Sequence, residues 1–227
     1  MKTNILLFLF ILVSSNIQSQ SLKGIYTRQQ LKSTGNQTSL PEKAKKPEVF
    51  SYIYSKKKSI QNLISIQKTY TDTLYIEKYG DKIVTTSTVN LSSSITNYKD
   101  FDSKTYKVLM TNDDVDTNIK ITLPTHTWKL FPESKNIKGF DCKKATTKNK
   151  VFNSNQNITA WYTEEIPIND GPMFYNGLPG FIIQLEIDDK SILVFEKLAF
   201  SDENTSIEAP NNSAKEMSFE EYQAQQR

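Results

Sequence analysis

The chain has 227 residues, a hydrophobic fraction of 37% that includes 11% aromatic residues, and a formal net charge of +3 at pH 7. This length suits one domain with a tail, and the aromatic residues can supply the large side chains of a core. The nearly balanced charge, without a dense basic run that carries interleaved aromatic residues, argues against a nucleic-acid-binding protein.

The N-terminus has the pattern of a secretory signal peptide. Lys2 precedes nine apolar residues, 5–13, and a polar stretch that ends at Ser19. Nine apolar residues are too few to span a bilayer, so residues 1–19 are predicted to be removed after export. No cysteine lies near Ser19, so a lipoprotein is not expected. We expect a periplasmic or extracellular protein whose membrane contact is limited to the cleaved signal peptide.

The first half of the mature chain predicts short strands that are separated by polar turns. The polar residues 32–47 indicate a solvated linker, and Gly80-Asp81 between two β-rich stretches predicts a hairpin. The helical spacing of Ile60, Leu63 and Ile64 leaves a short helix open as an alternative for the third stretch. The predicted strands are residues 23–31, 49–55, 59–67, 73–79, 82–89, 104–111 and 118–123.

A fragment of a calcium-binding loop lies between the last two of these strands. Asp114, Asp116 and Asn118 occupy the first three ligand positions of such a loop. Ile119 stands where the turn needs glycine, and Thr125 stands where a bidentate glutamate should be. An acidic turn without a metal is therefore the preferred interpretation.

The second half predicts five more strands and an acidic tail. The strands are residues 128–131, 140–147, 158–163, 180–187 and 191–200, and the tail is residues 201–227. Ser218 and Glu221 have the spacing of a capping box, which predicts a short helix in this peripheral tail. About ten strands without strand–helix alternation predict a mainly β protein in residues 20–200. We expect a single, strongly curved antiparallel sheet, as a half-barrel or a folded-over sandwich, with few short helices.

A loop rich in glycine and proline separates the predicted strands 158–163 and 180–187. Residues 166–180 hold six of the chain's seven glycines and eight prolines taken together. Proline fixes φ and glycine permits positive φ, so this mixture specifies one loop path. Pro179 and Gly180 at the two central positions predict a type II turn that positions the following strand.

This loop resembles the signature of the GLPGLI family of exported bacterial proteins of the Bacteroidota. The match runs from Gly177 to Ile182, with Phe181 in place of the second leucine, and the wider resemblance covers residues 127–200. The resemblance implies no established activity, and its pattern is also similar to that of periplasmic half-barrel carriers of lipoproteins. The residues that it marks as structural are Trp128, Gly139, Cys142, Trp161, Gly171, Pro172, Gly177, Leu178, Pro179 and Gly180.

The titratable residues do not form a recognisable catalytic motif. The single histidine, His126, and the single cysteine, Cys142, lie in segments without a fixed spatial relation, which gives no triad, zinc site or cofactor site. Cys142 lies two residues after Phe140 and so points to the same face of the predicted strand. We therefore expect a buried thiol that reacts slowly. Glu164, Glu165 and Asp170 flank the loop and leave a surface hydrolase open as an alternative function.

The leading functional hypothesis is a non-catalytic binding or carrier module for an apolar ligand or for an outer-membrane or periplasmic protein. Met173, Phe174, Tyr175 and Leu178 place apolar side chains on a loop, where binding residues often lie. The opposing interpretation is that the loop folds back and plugs the open end of the sheet. The sequence leaves these two roles open.

Overall fold

Within the part of the chain that the structure describes, stretches rich in β-branched and aromatic residues form thirteen strands, and one segment forms an α-helix. The computed structural model describes residues 21–32, 46–64, 68–78, 81–91, 93–112, 115–203 and 205–225. The strands are β1 (Ser21–Gln30), β2 (Glu48–Ser55), β3 (Lys58–Leu63), β4 (Lys68–Lys78), β5 (Asp81–Leu91), β6 (Ser93–Asp100), β7 (Thr105–Asn112), β8 (Val115–Thr122), β9 (Lys129–Ile137), β10 (Phe140–Asn149), β11 (Gln156–Thr163), β12 (Phe181–Ile187) and β13 (Ser191–Ser201). The helix α1 is Phe219–Gln225, and a 3-10 turn occupies Val151–Asn153.

Eleven strands form one antiparallel sheet in the order β8-β7-β6-β3-β2-β1-β13-β12-β11-β10-β9. The first and last strands of the chain, β1 and β13, pair along their whole length within this sheet. The edge strands β8 and β9 do not pair with each other, so the sheet is open, and β4 pairs with β5 as a separate hairpin. The predicted mainly β class and single antiparallel sheet are confirmed.

The inner face of the sheet carries the hydrophobic core. Tyr26 of β1 stacks on Phe50 of β2 at 4.8 Å between ring centroids, and both rings are buried. Tyr52 of β2 meets Phe181 of β12 at 5.4 Å, although β1 and β13 lie between their strands. A flat sheet would separate these strands by about 14 Å. Their contact therefore reflects a sheet that curves around its inner face.

Strand β6 is absent from the sequence-based prediction. Its inward positions are Asn97 and Lys99, which are 3% and 0% exposed, and each pairs with a buried polar residue of β3. The alternation rule expects apolar residues at inward positions, so it finds no strand here. Lys99 and the buried Gln61 of β3 contact the loop between β11 and β12, whereas Asn97 accepts a hydrogen bond from Tyr106.

The C-terminal tail packs against the edge of the sheet at β7 and β8. Ile207 is 6% exposed, and Lys107 of β7 donates a hydrogen bond to the Pro210 carbonyl at 3.0 Å. Met217 extends the edge at β8 through a parallel bridge to Ile119. The predicted capping box is present, because Ser218 Oγ accepts from Glu221 N at 3.1 Å and Ser218 N donates to Glu221 at 2.7 Å.

Several predicted features lie outside the described residues. These are the signal peptide, residues 1–19, most of the linker at 32–47, Gly80 of the β4–β5 hairpin and Asp114 of the calcium-loop fragment. Asp116, which is described, accepts hydrogen bonds from Thr111 and from Ser213 of the tail.

Candidate functional site

The glycine- and proline-rich segment between β11 and β12, residues 164–180, is here called the signature loop, and it lies on the inner face of the sheet. Phe174, Tyr175 and Leu178 are only 4%, 1% and 1% exposed, while Met173 is partly buried against the same core. Such burial is what we expect if the loop folds back and plugs the open end of the sheet. A binding role for these four side chains stays a prediction, since a partner would first have to displace them from the core.

Gln61 of β3 holds the backbone of the signature loop. Its amide nitrogen donates to the carbonyls of Gly171 at 3.1 Å and Met173 at 3.3 Å. Its oxygen accepts from Met173 N at 2.7 Å and from the Tyr26 hydroxyl at 2.9 Å. One buried side chain thus satisfies three backbone groups that would otherwise be buried without partners.

A buried ion pair joins the signature loop to β6. Lys99 Nζ contacts Asp170 Oδ1, and both side chains are fully buried. Lys99 also donates to the carbonyls of Gly171 at 2.8 Å and Tyr175 at 3.5 Å, while Asp170 accepts from Gly171 N at 2.7 Å and from the Tyr52 hydroxyl at 2.9 Å. Burial lowers the pKa of Lys99, and the neighbouring Asp170 opposes that shift. Burial and the adjacent carboxylate raise the pKa of Tyr52 well above its ordinary value.

Aromatic contacts hold the middle of the signature loop. Phe174 packs edge-on against Tyr106 of β7 at 5.8 Å, and His126 stacks on Tyr175 at 5.2 Å. Trp128 Nε1 donates to the Asn176 carbonyl at 2.9 Å. Burial lowers the pKa of His126. His126 and Trp128 therefore position the loop.

The turn that ends the signature loop differs from the predicted one. Gly180 N donates to the Leu178 carbonyl at 2.8 Å, which closes a three-residue γ-turn around Pro179 instead of a four-residue type II turn. Gly180 has φ of +148°, and a Cβ built on it would lie 2.1 Å from the Thr163 carbonyl oxygen. The requirement for glycine is therefore real, but it comes mainly from the close approach of β11.

The three carboxylates of the hydrolase alternative make separate contacts. Asp170 is buried in its ion pair with Lys99, Glu164 pairs with Lys143 at 2.8 Å, and Glu165 accepts from Asp141 N at 2.8 Å. Glu164 and Glu165 lie at the surface, while Asp170 lies inside the sheet. The structure therefore does not bring Asp170 together with the other two at an open cleft.

The remaining signature residues have structural positions. Gly139 has φ of +91° in the tight β9–β10 turn, and Gly171 packs so closely that an added Cβ would lie 2.7 Å from Ile182. Cys142 is fully buried, and burial raises the pKa of its thiol to about 11. Trp161 faces outward under Lys135, whose Nζ lies 4.0 Å from the ring centroid. Pro172 is buried and Gly177 has φ of +87°.

An open groove of 610 Å³ lies beside β13, opposite the β9–β10 turn, and is here called the β13 groove. Its apolar lining includes Ile25, which is 37% exposed, and the half-buried Phe140 and Leu198. Lys23, Lys138, Lys197 and Glu196 also line it. No sequence motif marks this groove, because its residues come from β1, β13 and a turn that are distant in the chain.

The charges of the β13 groove are partly paired. Lys138 forms an ion pair with Glu196, and Lys23 forms one with Glu203. Lys197 is exposed and has no ion-pair partner among the described residues. The groove therefore combines apolar side chains with an excess of positive charge.

Within the described ranges, no cluster of three or more His, Cys, Asp or Glu side chains could hold a metal ion. Among those same residues, no helix has the length and apolarity needed to cross a membrane.

Lys99 and Gln61 are the residues of the loop network that sequence reasoning missed. Each occupies the inward position of a strand, and an isolated polar residue there carries no motif. The one signal in the sequence is that several polar residues occupy inward positions on neighbouring strands. This pattern can be recognised only when β6 is already known to be a strand.

Comparison with known proteins gives a family match and a shared fold. A family model described as a protein of unknown function (Porph_ging) matches residues 147–184, which include β11, the signature loop and the start of β12. No curated protein sequence matches the chain.

Two solved structures are similar in fold. The "Structure of PNGF-II in P21 space group" has a TM-score of 0.52 and 13% sequence identity. The match covers 91% of this chain and 33% of the chain in that structure. The "Structure of PNGF-II in C2 space group" has a TM-score of 0.50 and 12% sequence identity, and the match covers 88% of this chain and 31% of the chain in that structure. The chain thus spans about a third of the length of these proteins, and at this identity the likeness concerns the fold alone.

Proposed function

We propose that this chain is a non-catalytic binding or carrier module, exported to the periplasm or the cell surface, that holds an apolar ligand or an apolar segment of a protein partner. The observation that carries the proposal is the β13 groove, whose apolar side chains face an open space while the sheet interior is occupied by the signature loop. The contact surface is therefore placed in this groove, and not in the sheet interior.

The dimensions and lining of the groove support this role. Its 610 Å³ fall within the range of about 300 to 1,000 Å³ that small-molecule sites occupy. Ile25 is exposed beside the half-buried Phe140 and Leu198, so an apolar occupant would remove these side chains from water. The structural contacts of Glu164, Glu165 and Asp170 also support a role in binding over one in hydrolysis.

The signature loop has a supporting task in this proposal. By filling the interior, it fixes the curvature of the sheet and the position of β12, and hence the width of the gap beside β13. A scaffold that is rigid on the inside can present an outer groove of constant shape, which lowers the entropic cost of binding.

The proposal can be tested with an uncharged apolar fluorophore, N-phenyl-1-naphthylamine, and two matched variants. Ile25→Glu places a charge in the groove, and Leu130→Glu places the same charge at an exposed apolar residue of β9 outside it. We expect the fluorophore to bind the unmodified protein and the Leu130→Glu variant, and to bind Ile25→Glu at least about tenfold more weakly. Absence of saturable binding, or equal loss in both variants, would refute the groove as a binding site.

A further inference from the structure

The edge of β13 that faces the groove lacks a strand partner over most of its length. β12 pairs with β13 only from Ser191 to Val194, and no described strand pairs with Phe195–Ser201 on that side. In an antiparallel strand, every second residue directs its N–H and C=O toward one side. The residues after Val194 therefore offer a row of backbone donors and acceptors beside the groove.

The divergence of β12 from β13 follows from the signature loop. At the start of β12, the Ile182 N–H donates to the Asp170 carbonyl at 2.9 Å, and the Ile182 side chain packs on Gly171. Both contacts hold the beginning of β12 to the loop. The gap is thus fixed by the same buried network that anchors Asp170 to Lys99.

The side chains along this edge are not explained by protection against unwanted strand pairing alone. Lysine on a free edge is a common device against unwanted strand pairing, and Lys197 alone would fit that explanation. Ile25, which is exposed, and the half-buried Phe140 and Leu198 do not fit it, because apolar side chains that reach solvent near a free edge favour pairing. An apolar lining with excess positive charge suits a partner that carries both apolar and acidic side chains.

We infer that the β13 groove binds an extended peptide segment that carries apolar and acidic side chains on one face, and that this segment adds a strand to β13 along Phe195–Ser201. Backbone hydrogen bonds to β13 hold the segment. Ile25 and Lys197 are cross-strand partners on one face of the sheet, so the apolar and acidic side chains of the segment stand on that same face, where they meet the apolar lining and Lys197. This inference rests on the proposed function and names its partner class. Seven residues of β13 span about 23 Å, so the segment has roughly six to eight residues.

The test uses a synthetic octapeptide with blocked ends, in which valine and glutamate take turns at every second position and threonine fills the positions between them, so that valine and glutamate share one face of the strand. Binding is measured by titration, and hydrogen exchange of the β13 amides is followed with and without the peptide. Strand addition should slow exchange at alternate residues of Phe195–Ser201, because those N–H groups gain acceptors. A version with alternate backbone nitrogens methylated, and a version with lysine in place of glutamate, should bind at least about tenfold more weakly.

Two charge reversals provide the matched protein variants. Lys197→Glu lies in the groove, and Lys148→Glu lies near the far end of β10, roughly 26 Å along the strand from Phe140. Both lysines are exposed, so both variants should fold. We expect about three- to tenfold weaker peptide binding for Lys197→Glu and unchanged binding for Lys148→Glu.

Dodecanoate serves as the second probe and separates the two proposals. If dodecanoate binds in the groove and the peptide does not, the partner is an anionic amphiphile, and the strand-addition inference is overturned while the proposed function stands. If the peptide binds without slowing exchange in Phe195–Ser201, the inference is overturned as well. If neither probe nor the uncharged fluorophore binds, both proposals fail.

Discussion

The buried pair of Lys99 and Asp170 allows a sharp test of how the signature loop is held. Replacing Lys99 by methionine leaves the Asp170 carboxylate inside the sheet with only the Tyr52 hydroxyl and the Gly171 N–H as donors. An uncompensated buried charge of this kind lowers the free energy of unfolding by about 3 to 5 kcal/mol. For a domain of this size that corresponds to a melting temperature lower by roughly 6 to 20 °C.

The magnitude can be isolated by a double-mutant cycle. Asp170→Asn keeps the size of the side chain and removes its charge, and the double variant Lys99→Met/Asp170→Asn should lose clearly less stability than the two single variants added together. The matched control is the surface pair of Lys143 and Glu164, whose side chains are 52% and 50% exposed. Lys143→Met should change the free energy of unfolding by no more than about 1 kcal/mol.

Urea denaturation gives the required free energies, and tryptophan fluorescence reports the loop directly, because Trp128 bonds to the Asn176 carbonyl. Two results would contradict a stabilising role for the buried pair: a loss for Lys99→Met as small as that for Lys143→Met, or a cycle without coupling. Either result would mean that the signature loop is held by its apolar side chains alone.

Four further outcomes are expected. Gly180→Ala should destabilise the protein by more than about 1 kcal/mol in thermal unfolding, because its Cβ would meet the Thr163 carbonyl oxygen; an unchanged melting midpoint would contradict the close approach. Leu178→Ala should lower stability by about 2 to 5 kcal/mol, since the side chain is 1% exposed, whereas a loop that is free for binding would lose little. Cys142 should react with a thiol reagent far more slowly in the native protein than in denaturant, and equal rates would show an accessible thiol. In an alkaline titration followed by circular dichroism, stability should be fully present below pH 10 and fall above it by about 1.4 kcal/mol per pH unit for each buried tyrosine, because the folded pKa lies above the unfolded value of 10; flat stability to pH 12 would contradict this. The tyrosines whose pKa is raised by burial in this way are Tyr26, Tyr52, Tyr106 and Tyr175.

Strands with many β-branched and aromatic residues could be predicted from the sequence. Strand β6, whose Lys99 contacts the signature loop, could not. β2 is rich in β-branched and aromatic residues, with Phe50, Tyr52 and Tyr54 on one face, and the sequence places this strand within one residue of its observed start. In β6 the inward Asn97 and Lys99 are polar, because they bond to Tyr106 and to the loop. The loop partner of Lys99, Gly171, lies 72 residues away, so the local sequence around Lys99 carries no information about it.

The signature loop shows a second limit of sequence reasoning. Proline followed by glycine predicts a turn, and a turn is present at Pro179. Its type depends on Thr163, which approaches Gly180 only when β11 and β12 pair. The same dependence on distant strands explains why the β13 groove has no motif, although Ile25, Phe140 and Lys197 are individually ordinary strand or turn residues.

The pairing of β1 with β13 has a consequence for the order in which the protein can fold. Ser21 pairs with Ser201, so the central pair of the sheet joins residues that are 180 positions apart. Synthesis from the N-terminus at about 5 to 20 residues per second separates the appearance of these two ends by roughly 10 to 40 seconds. During that interval β1 can pair only with β2, and its other edge can form backbone hydrogen bonds with a strand of another molecule. Folding must therefore be completed from the C-terminal end, and a chain truncated before β13 would keep the middle of its sheet exposed as an aggregation-prone edge.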